Sequence, residues 1–87
     1  MRMHANYVIT DSIHIGNAEF VLGVSVKSAN QFVTWKCRDT RHFEDAHFAP
    51  NLLEAQKDLV RRAVEEISRQ EQLALEHEPK CMTEIVL

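Results

Sequence analysis

Residues 51–78 read NLLEAQKDLVRRAVEEISRQEQLALEHE, and Pro79 ends the run. No other part of the chain holds a clear period for so long. At about 100° per residue, Leu52, Leu53, Leu59, Val60, Ala63, Val64, Ile67, Ala74 and Leu75 fall on one side of a helix. Glu54, Asp58, Arg61, Arg62, Glu65, Arg69, Gln72 and Glu76 fall on the other. The spacing predicts an amphipathic helix over 51–78 with its apolar stripe on a core. Asn51 and Glu54 have the spacing of a capping box, and Pro50 suits a chain that arrives extended. Asp58/Arg62 and Glu65/Arg69 are acid-before-base pairs four residues apart, worth about 0.2–0.5 kcal/mol each. Gln56 interrupts the stripe near the helix start and is expected to reach solvent. Leu73 points off it.

Length then becomes the argument. A helix over 51–78 spans roughly 42 Å at about 1.5 Å per residue. A strand of ordinary length covers about 17–20 Å. One small sheet therefore leaves the turns from about Ser68 onward without a platform. Ile67, Leu73, Ala74 and Leu75 are expected to form a self-association surface there.

Upstream, residues 3–10 (MHANYVIT) carry strong strand formers, and Asp11-Ser12 favours a turn. Ile13-His14-Ile15 reads as a short extended piece before a Gly16-Asn17 turn. Residues 18–25 (AEFVLGVS) form a strand with Phe20, Leu22 and Val24 toward the helix. Gly23 on the opposite side suits a bulge or a close approach. Residues 31–38 (QFVTWKCR) form the next strand, with Val33, Trp35 and Cys37 as the better core set. Residues 45–49 (DAHFA) add a short strand with Phe48 inward. The expected fold is α+β: an antiparallel meander of three to four short strands packed on one long C-terminal helix, in the order ββββα. The second sheet face, carrying Tyr7 or Val8, Val21, Phe32 and Thr34, is expected to stay partly open as a contact surface.

Residues 79–87 end in TEIVL, which has strand composition. This tail is expected to be ordered and extended, adding Ile85, Val86 and Leu87 to a sheet edge in its own chain or a neighbour's.

With 87 residues the sequence is expected to form one domain: sheet over 1–50, helix over 51–78, tail over 79–87. Its net charge of −3 is uneven. Acids and bases balance over 1–50, and acids prevail over 51–87. That distribution disfavours a general phosphate-binding surface. The N-terminus lacks a sustained apolar core of a signal peptide, and no apolar run approaches a membrane span. With two cysteines and no secretory feature, a reducing, cytoplasmic setting is expected.

Candidate chemistry is sparse. Cys37, His42, His47 and Cys81 match no paired zinc spacing, so neither metal nor cofactor is expected. Cys37 sits mid-strand beside Trp35 and reads as a small core residue rather than a nucleophile. Glu44-Asp45 lies in a loop and Glu65-Glu66 on the wet helix face, too solvated for acid/base work. Gly16 and Gly23 are the only glycines, so no phosphate loop exists. No enzyme is expected.

Trp35, Lys36, Arg38 and Arg41 follow one another along the third strand and its loop, followed by Phe48 and by Glu54-Ala55 opening the helix. This stretch resembles the strand-then-helix half of the small three-strand-plus-helix DNA-binding domains of the phage-integrase N-terminal type. The resemblance covers about a third of the chain. It implies a sheet face laid in the major groove, with Trp35, Lys36, Arg38 and Arg41 as contacts. The chain departs from the family in lacking its glycines and in having a longer, acidic helix. The favoured expectation is a non-catalytic protein-interaction or regulatory module that self-associates, as a dimer or with a larger protein, through the helix overhang and tail.

Overall fold

The computed structural model describes residues 2–39 and 41–77. Five strands run in chain order across one antiparallel sheet: β1 (Met3–His4), β2 (Tyr7–Ile15), β3 (Ala18–Ser25), β4 (Phe32–Cys37) and β5 (Phe43–Ala49). Helix α1 (Leu52–His77) follows and packs on one face. The meander with a C-terminal helix is as the sequence predicts, with five strands instead of three to four. Residues 79–87, where the extended tail was expected, lie outside the described residues.

The extra strand has a local origin. Met3 and His4 pair with Val8 and Tyr7 around a two-residue turn, Ala5-Asn6, with Ala5 at φ +54°. The next hairpin closes through Gly16-Asn17 between Ile15 and Ala18, with Gly16 at φ +58°. A positive φ at the first central residue matches the twist of the flanking strands, and glycine adopts it without a steric cost.

Asp11-Ser12 is not a turn. Strand β2 runs through it, and the register against β3 slips by one residue at Thr10. The bulge inverts side-chain parity. Tyr7 and Ile9 thus lie on the outer face, while Ile13 and Ile15 face the helix. Strict alternation would put all four residues on one face; the one-residue slip divides them between two.

Two clusters result. On the helix face, Ala18, Phe20 and Leu22 pack against Ala55, Leu59 and Ala63. The outer face holds Val21, Val33, Trp35 and Cys37, bordered by Tyr7, Ile9 and Phe43. Strand β4 therefore has the opposite parity to the expected one. Phe32 and Thr34 face the helix, and Val33, Trp35 and Cys37 face away. The outer face is not open either. The sheet curls until side chains of its two edge strands touch, as coiling of a twisted sheet allows. His4 of β1 stacks on Phe43 of β5 at 4.1 Å and meets Trp35 edge-on at 5.0 Å. Arg2 lies over the Phe43 ring at 5.3 Å and donates to Glu19 through its two terminal nitrogens, at 2.8 and 3.0 Å. Of the residues expected on an open face, Val21 and Thr34 are fully buried. Phe48, expected inward, shares its face with Val33 across the β4–β5 ladder and is 68 % exposed.

Candidate functional site

The long helix presents a different side to the sheet from the one its hydrophobicity favours. Asn51 caps it as expected, accepting the Glu54 amide at 2.8 Å. From there, Ala55, Leu59, Arg62, Ala63 and Glu66 are buried against the sheet. Leu53, Val60, Val64 and Ile67, expected inward, are exposed, as are Leu52 and Leu75. At about 100° per residue, the buried side and the outward apolar side lie roughly 120° apart.

The polar groups of the sheet explain the choice. Thr34 stands fully buried in the middle of the helix face. A buried hydroxyl without partners costs on the order of 1–3 kcal/mol. Thr34 donates its hydroxyl to Asp58, and Arg62 Nη1 donates to the Thr34 hydroxyl at 3.0 Å and carbonyl at 3.1 Å. His47 Nδ1 lies 2.9 Å from the same Asp58 carboxylate. One turn on, Glu66 accepts from Arg69 and Gln70 and lies 3.8 Å from Lys36. Gln70 also donates to the Ile15 carbonyl at 2.8 Å. Asp58, Arg62, Glu66 and Gln70 thus form a polar ladder, and small Ala55 and Ala63 let the helix approach. The Arg62 guanidinium covers the Phe20 ring at 5.7 Å, so its stem and face contribute packing as well as charge.

Titration follows this geometry. Burial acts to raise the Asp58 carboxyl, and the bonds from Thr34 and His47 outweigh it, leaving it below the ordinary carboxylate range. The Arg69 bond holds Glu66 low against burial, and the Arg2 bond does the same for Glu19. Each of these acids is held lower folded than unfolded. Their stabilisation is therefore present above about pH 4–4.5 and is lost as pH falls through the folded values. The unfolding temperature is expected to be flat from neutrality to about pH 5 and to drop steeply below about pH 4. Glu66→Gln is expected to make that acid limb shallower, read by circular dichroism melts across pH. An unchanged limb would show that Glu66 does not contribute to it.

The residues named from sequence separate into groups. Ile67, Ala74 and Leu75 are exposed, and with Leu53, Val60 and Val64 they lie along the outward side of α1. Leu73 instead turns toward the β2–β3 hairpin, lining a depression with Gly16, Asn17 and Gln70. The platform ends at that hairpin, where Gln70 bonds Ile15 and Leu73 borders Gly16, so the helix runs beyond it over residues 74–77. Ile85, Val86 and Leu87 lie outside the described residues. Of the nucleic-acid set, Trp35 is buried on the outer face, its ring against His4, Tyr7 and Phe43. Lys36 points to the opposite face beside Glu66, and Arg38 pairs with Glu44 at 2.9 Å. Arg41 is exposed on the loop before β5.

The other candidate groups are structurally engaged. His42 Nδ1 lies 2.7 Å from Asp39, and Cys37 is buried, its thiol pushed up by that burial. Among the described residues, no three His, Cys, Asp or Glu side chains are grouped to hold a metal, and no helix is long and apolar enough to cross a membrane. Comparison with protein-family models, with curated proteins and with solved structures finds no match to this chain.

The feature sequence reasoning missed is the outward stripe upstream of the overhang. Leu53, Val60 and Val64 were legible as apolar, but periodicity does not say which apolar neighbour a helix turns inward.

Proposed function

We propose that this protein is a non-catalytic interaction module that self-associates through the outward side of α1. The observation that carries this reading is a row of apolar side chains held in water on the most regular element. Val60 is 54 % and Val64 53 % exposed, and Leu53 and Ile67 continue the row on either side. Scattered exposed apolar residues are ordinary, but a contiguous stripe on a rigid helix is the form of a helix-packing surface. The same side of the helix carries Ala74 and Leu75 in the overhang, beyond Glu71.

Val60→Lys/Ile67→Lys is expected to convert the protein to monomer in sedimentation equilibrium at about 100 μM. Val60 is 54 % and Ile67 40 % exposed, and a flexible lysine can reach solvent from either, so the thermal midpoint of the monomer is expected to hold, with a cost within about 0.5 kcal/mol per site. Wild type sedimenting as a monomer at that concentration would overturn the reading. So would a doubly substituted protein that still sedimented as wild type does.

A further inference from the structure

We infer that the occupant of this stripe is the same stripe of a second copy, packed antiparallel with the two-fold axis close to Val64. The inference rests on the self-association reading and adds orientation and register to it.

The seam is regular. Leu53, Lys57, Val60, Val64, Ile67, Glu71 and Ala74 follow one another at alternating spacings of four and three. That is a heptad seam of three repeats, the pattern by which two helices keep contact along their length. All seven residues are exposed in the single chain. The sheet lies roughly a third of a turn away around the helix, so it does not block a partner helix.

Five seam positions are apolar and two are charged, and the two charges decide the orientation. Lys57 lies in the N-terminal half and Glu71 in the C-terminal half, each seven residues from Val64. Parallel pairing sets Lys57 against Lys57 and Glu71 against Glu71, two like-charge contacts in a seam that is losing water. Antiparallel pairing sets each Lys57 against Glu71 of the second copy, twice by symmetry, with Val64 meeting Val64 and Leu53 near Leu75. A closed two-fold, isologous contact of this kind ends at two copies. Contact from Leu53 to Leu75 runs roughly 33 Å, and two helices meeting over that length bury on the order of 1,000 Å², the lower end for a specific interface. Micromolar dissociation is expected.

The test uses the full chain with Cys81→Ser, leaving buried Cys37 in place. Under mild oxidation, Val64→Cys is expected to form a disulfide dimer and Leu53→Cys to remain uncrosslinked, because antiparallel pairing holds the two 53 positions roughly 33 Å apart. In parallel, Lys57→Glu or Glu71→Lys is expected to weaken dimerisation about three- to tenfold, and the two together to restore it to within about twofold. Crosslinking at 53 with no rescue by the charge swap would overturn the antiparallel arrangement while leaving self-association intact. Absence of any dimer, in wild type and variants alike, would remove both.

Discussion

Arg62→Ala is expected to destabilise the folded protein by about 2–4 kcal/mol, the range for removing one member of a buried, hydrogen-bonded charge system. Arg62 is 8 % exposed although it lies on the side of the helix that a wheel assigns to solvent. The substitution deletes both bonds to Thr34, uncovers the Phe20 ring and leaves the low-lying Asp58 carboxylate without its nearby buried cation. Arg62→Met is expected to recover part of the loss, because the apolar stem keeps its packing. Urea denaturation at pH 7 measures both, with an unchanged denaturant slope expected. A loss below about 0.5 kcal/mol for Arg62→Ala, the size of an ordinary surface change, would show that the polar ladder does not fix the helix on the sheet.

Gly23→Val is expected to cost on the order of 3 kcal/mol, at the upper end for overpacking a core. A side chain at this position would place its Cβ 3.0 Å from Trp35 Cζ3 and 3.1 Å from Tyr7 Cβ. Neither atom is the free end of a flexible chain. The cluster around them is closed by His4, Phe43 and Arg2, so the indole has no space to retreat into. Trp35 is the only tryptophan of the chain, so its fluorescence reports the displacement directly. A red-shifted, weakened emission in the folded variant is expected, together with an earlier urea midpoint. Native emission at native stability would mean that the curled outer face has slack. Gly23→Ala, with a single methyl, is expected to cost less, because it adds no γ-methyl groups to the crowded site.

The depth of the outer cluster also bears on where partners bind. An open sheet face would compete with the helix as a contact surface, and the curl closes that face over Val21, Val33 and Trp35. Of the basic residues that follow Trp35, Lys36 stands beside Glu66 and Arg38 beside Glu44. Among the described residues, Val60, Val64 and Ile67 on the outward side of α1 remain as adjacent exposed apolar side chains.

The sequence by itself determined the helix from its cap to its last described turn, the Gly16-Asn17 hairpin, the inward set Phe20, Leu22 and Val24, and the order of strands before helix. These depend on interactions within a few residues: a side chain on a nearby amide, a glycine at positive φ, alternation along one strand. Tertiary structure alone decided which way β4 and the helix face. The bulge at Thr10 depends on the pairing with β3, and it moves Tyr7 and Ile9 to the opposite face from Ile13 and Ile15. Thr34, once buried, needs partners that only the Asp58–Arg62 side of the helix supplies. Val60, Val64 and Ile67 offer more apolar surface but no hydrogen bonds. A buried hydroxyl, with the backbone carbonyl beside it, thus turns a greasy stripe outward, because an unmade hydrogen bond in the interior costs about as much as the apolar burial forgone.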